Sequence, residues 1–409
     1  MPSTLPDGEP VPRDGALPYA ALHTLGRHPF GIYVHVPFCA TRCGYCDFNT
    51  YTADELGSGP GAVTRASYVD TAMAELLLAR HVLGDRAPRA ETVFFGGGTP
   101  TLLPAGHLAA LLAEVRELFG LAPDAEVTTE ANPESVTEAY LARLREAGFT
   151  RVSLGMQSAR EHVLAVLDRR HTPGRAIAAV AEARAAGFVH VNLDLIYGTP
   201  GETEADWQAS LDAAVAANPD HVSAYSLIVE DGTALARRIA RGELPEPDDD
   251  VLADRYAQAE ETLSRSGYAW YEVSNWARGV AARSRHNRLY WTGGDWWGIG
   301  PGAHSHVGGV RWWNVKHPAA YAARLHAGAS PGHGREVLGD RARRLERLLL
   351  GLRLREGLPM GELTGRGKDA AARAVTYGLL DRRLHDEGRA VLTLRGRLLA
   401  DAVVRDLAD

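Results

Sequence analysis

Cysteine is scarce in this chain of 409 residues: three cysteines lie within eight residues of one another, at 39, 43 and 46, and the rest of the chain has none. No disulfide framework can be built from an odd, clustered set, whereas reduced thiols can serve a metal, and a cytoplasmic protein is the expectation. Basic charge is not in surplus either. Lys and Arg number 44 against 51 Asp and Glu, a formal charge of -7, so the phosphate neutralisation that nucleic-acid binding needs is missing and no nucleic-acid partner is expected. No uninterrupted apolar run reaches about eighteen residues, which excludes an integral membrane helix. Residues 1–28 carry five prolines and no basic start followed by an apolar stretch; they are expected to be a flexible Pro-rich tail rather than a signal peptide.

What is present is ordinary for a globular protein: 45% hydrophobic and 23% charged residues. The length favours one large domain and a smaller one. Short β-branched or aromatic runs alternate with longer Ala/Leu/Arg segments at helical spacing. Strands are expected at 32–36, 92–95, 126–129, 151–154, 190–196 and 221–227. The helices that follow them are expected at 68–82, 107–118, 138–146, 175–186, 204–217 and 251–266. Six successive β-then-α units imply right-handed crossovers and a parallel sheet, either a TIM-like barrel or a doubly wound sheet.

The unusual residues fall where such strands end. The cysteines follow the first strand, Gly96-Gly97-Gly98-Thr99-Pro100 the second, Glu130-Ala131-Asn132-Pro133 the third and Gly155-Met156-Gln157-Ser158 the fourth. The fifth carries Asp194 and ends in Tyr197-Gly198-Thr199-Pro200-Gly201. Ligands of parallel α/β folds bind at that rim, so Glu130, Gln157 and Asp194 are candidates for one cavity; a helix cap or a surface ion pair is the plainer account of each acid taken singly.

Cys39-x3-Cys43-x2-Cys46, with Gly44 inside the loop, can turn three sulfurs toward one point, and soft sulfur ligands select iron-sulfur clusters or zinc. Structural zinc would need a fourth protein ligand. No second Cys/His pair with zinc spacing follows, and His35 is the available fourth. A four-iron cubane on three thiolates instead leaves one iron open, where the amino and carboxylate groups of S-adenosylmethionine (SAM) could chelate. The triple glycine would let backbone approach such a ligand closely, although a glycine run after a strand is often only a tight turn. It is not a P-loop, since no Gly-Lys-Ser/Thr follows.

These residues resemble a known family. Tyr33-Val-His-Val-Pro-Phe-Cys39-x3-Cys43-x-Tyr45-Cys46-Asp47-Phe48, the Gly96–Pro100 run and Tyr271-Glu-Val-Ser-Asn275 are similar to the radical SAM, oxygen-independent coproporphyrinogen III oxidase family over residues 30–400. The resemblance is closer to its three-cysteine, haem-chaperone branch. It implies a partial (β/α)6 TIM-like barrel holding a 4Fe-4S cluster on Cys39, Cys43 and Cys46, and a small helical, winged-helix-like C-terminal domain. The SAM contacts it implies are Tyr33, Gly97, Gly98, Thr99, Glu130, Gln157, Arg169 and Asp194. Arg169 stands in Asp168-Arg169-Arg170-His171, whose other reading is an exposed turn.

Two departures separate the chain from the oxidases of that family. They carry a further cysteine two residues after the third, where this chain has Phe48, and a longer N-terminal segment. The chaperone branch has a His-Asn-x-x-Tyr-Trp motif, here His286, Asn287, Tyr290 and Trp291. Imidazole is a common axial ligand of haem iron, and five of the eight tryptophans lie between 291 and 313, so this segment is a candidate haem site. An aromatic core in which His286 is merely hydrogen-bonded is the alternative. The expected organisation is a tail at 1–28, a barrel at 29–245, a barrel extension carrying the aromatic segment at 246–317 and a C-terminal domain at 318–409. In the C-terminal domain helices are expected at 343–355, 370–384 and 398–407, with a short strand at 390–394. The expected function is a haem chaperone that passes haem to an acceptor protein, with a homodimer as one expected state. A radical SAM enzyme acting on a tetrapyrrole, such as coproporphyrinogen III oxidase, is the alternative.

Overall fold

The computed structural model describes residues 7–57, 63–170 and 172–408. Six strands form in chain order: β1 (Phe30–Val36), β2 (Ala90–Gly97), β3 (Leu121–Ala131), β4 (Arg151–Gln157), β5 (His190–Tyr197) and β6 (His221–Ser226). They pair in parallel in that same order. Helices Arg65–Leu83, Ala105–Phe119, Glu138–Ala147, Arg175–Ala185, Glu204–Ala217 and Asp249–Arg265 follow the successive strands, giving the partial (β/α)6 barrel. Alternation along each strand explains which face goes where. Ile32, Val34, Val93, Phe95, Val152, Leu154, Val191, Leu193 and Val222, wholly buried, share one face with the helices. The other face carries Tyr33, His35, Thr92, Glu126, Glu130, Arg151, Ser153, Asn192, Asp194 and His221, polar residues that need partners and find them inside the barrel.

The sheet does not stop at six strands. Antiparallel β7 (Ala269–Glu272) and β8 (Asn275–Ala277) extend it beyond β6, while β9 (Asp295–Ile299) pairs in parallel with β1. A meander of β10 (His304–Val307), β11 (Val310–Asn314) and β12 (Gly332–Val337) continues from β9, for twelve strands in this sheet among the described residues. One sequence expectation changes here. The C-terminal domain does not begin at 318, because helix Pro318–His326 packs through Tyr321 on the buried Glu75 (2.5 Å) and β12 pairs with β11. The separate core, with Leu348, Leu352, Leu363, Ala371, Val403 and Leu407, starts only with helix Asp340–Gly351.

The Pro-rich segment is also not a loose tail where it is described. Glu9 forms a bridge with Arg335 on β12, backbone to backbone at 2.9 Å in both directions, and Ala21 is buried. Proline suits this place, since a strand laid on a sheet edge can spare alternate N–H groups; Pro2 and Pro6 lie outside the described residues. In the C-terminal domain the stretch expected as one helix at 370–384 is two, Gly365–Thr376 and Arg382–Asp386, separated by Gly378 in the left-handed region. The expected strand shortens to Arg389–Ala390, paired with Leu358–Pro359. No helix among the described residues is long and apolar enough to cross a membrane.

Candidate functional site

The cysteine loop leaves β1 and is fastened to the barrel by backbone. Cys39 N donates to Tyr51 O (3.0 Å), Gly44 N to Leu167 O (3.1 Å) and Cys46 N to Cys43 O (3.2 Å). A Cβ on Gly44 would stand 2.4 Å from an Asp168 carboxylate oxygen, so a side chain there would push that exposed carboxylate aside. His35 holds the loop from below: its Nδ1 meets the Tyr33 hydroxyl at 3.0 Å and its Nε2 the Asn49 carbonyl at 2.9 Å. Both nitrogens are therefore used, and burial lowers the imidazole to about 4, so His35 is a neutral strut and not a fourth ligand beside the cysteines. All three cysteines are free thiols of intermediate exposure. Burial pushes Cys39 upward and Cys46 to about 11.

The second strand end lies against this loop. Gly98 N donates to Val36 O (2.8 Å) and Thr99 N to Phe38 O (2.7 Å). A Cβ on Gly98 would fall 2.5 Å from Phe38 O, and Gly97 takes φ +106° with the His35 ring beside it. The run is thus more than turn punctuation: side chains are excluded there by the close approach of two strand ends. Gly97 N donates to a Glu130 carboxylate oxygen at 3.0 Å. Burial, then the charge of Asp194, raises Glu130 to about 8, while Asp194, also raised by burial, accepts from Ser153 (2.7 Å) and Asn192 (2.8 Å). Two carboxyls facing one cavity at the cost of desolvation suit a cationic ligand.

Arg169 completes the rim. Asp168 adopts φ +52°, which turns the chain so that Asp168 and Arg170 are exposed while Arg169 points inward. Its Nη2 donates to Gly155 O (3.0 Å), its Nη1 lies 3.5 Å from Cys43 Sγ, and its buried Nε has no partner among the described residues. His171 of the same stretch lies outside the described residues. Gln157 is buried with φ +64°, at the point where β4 shifts register against β5. Strain of this kind needs support from its surroundings and is concentrated at functional sites. Tyr33 points into the barrel below, where burial and then Glu130 push its hydroxyl well up. Cys43, Gly97, Glu130, Gln157, Arg169 and Asp194 thus meet at one rim. Among the described residues no three His, Cys, Asp or Glu side chains converge to hold a single metal ion; a cubane, which spans its own ligands, asks for a wider separation of sulfurs.

The His-Asn-x-x-Tyr-Trp motif has a different place from the one expected for a haem ligand. It forms helix Arg285–Trp291, which closes the barrel from the end opposite the cysteines. His286 is 1% exposed. Its Nδ1 bonds Thr92 Oγ1 at 2.7 Å, its Nε2 bonds Tyr290 Oη at 2.7 Å, and its ring stacks on Phe94 with centroids 5.0 Å apart. Burial lowers the imidazole to about 3. Glu126 accepts the Arg285 and His286 amides (3.1 and 3.0 Å) as well as Arg151 Nε (3.1 Å). Asn287 and Trp291 hydrogen-bond Glu272, within the Tyr271–Asn275 run. With both His286 nitrogens engaged, the motif is a plug that fixes the barrel floor and the seat of Tyr33. The buried Glu126–Arg151 pair and His221, which bonds Asn192 (2.6 Å) and Tyr271 (2.8 Å), were not among the expected residues. Their signal was their spacing of two from other polar strand positions.

Comparison with known proteins places this architecture. The Radical SAM superfamily profile matches residues 33–214. The haem chaperone HemW of Mycobacterium tuberculosis is 58% identical over 379 residues, covering 93% of this chain and 95% of the relative. The haem chaperone HemW of Bacillus subtilis is 31% identical, covering 91% and 97%. Among solved structures, coproporphyrinogen III oxidase (HemN) from Escherichia coli superposes with a TM-score of 0.80 at 24% identity, over 97% of this chain and 94% of that one, which speaks for the shared fold. The chain belongs to the HemW family of radical SAM proteins.

Proposed function

We propose that this protein binds haem and hands it to an acceptor protein, carrying a 4Fe-4S cluster on Cys39, Cys43 and Cys46 with SAM on the open iron. The observation that carries the reading is the single rim at which the cysteine loop, the Gly97 amide on Glu130 and the Arg169 guanidinium meet. Gly97, Gly98 and Thr99 would admit the backbone-like end of SAM. Glu130 and Asp194 would face its positive groups, and Arg169 and Gln157 would contact its remaining polar edge. When bound, the cluster and SAM supply one-electron chemistry at a sulfonium, which the protein orients and shields. A carrier rather than an oxidase is supported by Phe48, 49% exposed, where the resembling oxidases have a further cysteine. It is supported also by the name of the relative that is 58% identical over 95% of its length. The cluster and SAM then serve a dimeric or transfer-competent state.

The test is a haem titration of anaerobically reconstituted protein, followed by mixing with an apo-haemoprotein. The reading expects a Soret band distinct from that of free haem, and its loss from this protein as the acceptor gains it. No distinct band would refute the carrier function. A vinyl-bearing product from coproporphyrinogen III, SAM and reductant would refute it in favour of the oxidase.

A further inference from the structure

With the barrel floor filled by the His286 helix, a flat macrocycle has to be held elsewhere. Where β5 and β6 end, a cleft of about 670 Å³ separates the outer barrel wall from the C-terminal domain, within the ~300–1,000 Å³ typical of small-molecule sites. One wall is aromatic, with Tyr256 from helix Asp249–Arg265 and Trp270 from β7. The facing lip carries Leu398 and Leu399, which are 41% and 46% exposed although the domain has a core of its own. Large apolar side chains left in water beside an aromatic wall mark a surface that is covered in use.

The charges are arranged by side. Arg353, Arg395 and Arg397 come from the C-terminal domain, Asp249 and Asp250 from the barrel helix. Arg397 is paired with Glu260 (2.8 Å) and lies 4.2 Å over the Trp270 ring, yet its buried Nε has no partner among the described residues. Arg353 is tied to Asp401, whereas Arg395 is exposed and donates to Tyr377 O at 3.1 Å, leaving further N–H groups for an anion. An acidic ligand edge would turn toward Arg395 and away from the two aspartates.

We infer that this cleft between Trp270 and the Leu398–Leu399 lip is the haem-holding site, taking the macrocycle against apolar walls and its propionates on Arg395 and Arg397. The inference rests on the haem-carrier reading above. None of the cleft's described lining residues is His, Cys or Met, and in this proposal the porphyrin and its carboxylates supply the affinity. Such a site is suited to release.

The experiment titrates full-length protein with haem, with iron-free protoporphyrin and with a porphyrin dimethyl ester. Leu398→Asp/Leu399→Asp and Arg395→Glu are compared with the parent; all three positions are exposed, and circular dichroism with retained cluster absorbance reports the fold. The double variant should bind haem about tenfold or more weakly, since a carboxylate is desolvated against the macrocycle. Arg395→Glu should lose about three- to tenfold for haem, and about the same factor should separate the ester from the free acid on the parent protein. Protoporphyrin should bind the parent within a few-fold of haem. Unchanged haem affinity in both variants would overturn the cleft, as would binding abolished by His286→Leu alone. A parent protein that binds no haem would instead overturn the carrier reading.

Discussion

The Arg169 guanidinium lies 3.5 Å from the Cys43 sulfur while its other nitrogen holds the Gly155 carbonyl at 3.0 Å. One side chain therefore ties the cysteine loop to the end of β4, and it does so as a cation beside the Cys43 sulfur and within electrostatic reach of the Asp194 carboxyl. Arg169→Ala removes that tie without touching a cysteine. Iron and sulfide content should stay near the parent value while SAM affinity falls about tenfold or more, the scale of a lost charge-assisted contact. Calorimetric titration of SAM into the reconstituted protein checks this; parental affinity would remove Arg169 from the rim.

Gly98→Ala tests the close approach of β1 and β2. The new methyl would meet the carbonyls of Phe38 and Val36 at 2.5 and 2.9 Å, backbone atoms that cannot step aside. A loss of about 1–3 kcal/mol in denaturant unfolding is expected, typical of overpacking, together with poorer cluster retention. Gly106→Ala, where a Cβ meets nothing within 4 Å, is the control.

His286→Ala should act on stability. It leaves a cavity under Phe94 and strips Thr92 and Tyr290 of their partner, so urea unfolding should show a loss of about 2–4 kcal/mol. Haem affinity of the folded variant should stay within about twofold of the parent, a difference below about 0.5 kcal/mol.

Glu75 is one of four buried carboxyls, with Glu130, Glu202 and Glu272, that burial raises to about 7 or 8 and that together give the apo-protein its pH dependence. Burial raises the Glu75 carboxyl from 4.5 to about 7, although Tyr321 OH, Gly300 N and Asn314 Nδ2 all donate to it. A carboxyl whose folded value lies above its unfolded one stabilises fully below the unfolded value, and that contribution is lost as pH rises through the folded value. Tm should therefore fall as pH rises through about 7. Glu75→Gln, which cannot ionise, should flatten the decline; an identical slope in the variant would contradict this account of Glu75.

Much of this was legible in the chain because local pattern and burial agree in the six β-α units. The helix expected at 204–217 is Glu204–Ala217, started by a Thr203–Asp206 capping box, and the strand expected at 190–196 is His190–Tyr197. The glycine run, Glu130 and Asp194 were visible because strand ends are where such folds place polar residues. The flanks were not. β9 finds its partner β1 some 265 residues earlier, by the register Phe30↔Asp295, and its Asp-Trp-Trp-Gly-Ile sequence has neither alternation nor a β-branched run. His286 was ambiguous for a related reason: an imidazole with two partners inside a barrel has the same sequence as one offered to a metal, and its partner Thr92 lies 194 positions away.

The central claim is that three thiolates hold a cubane by three irons and leave the fourth to SAM. It is tested most directly by electron paramagnetic resonance of the reduced, anaerobically reconstituted protein with and without SAM, alongside iron and sulfide analysis. The account predicts four irons and four sulfides per chain, a signal that SAM reshapes, and loss of that signal in Cys43→Ser. Zinc in place of iron, or a cluster whose signal ignores SAM, would contradict it.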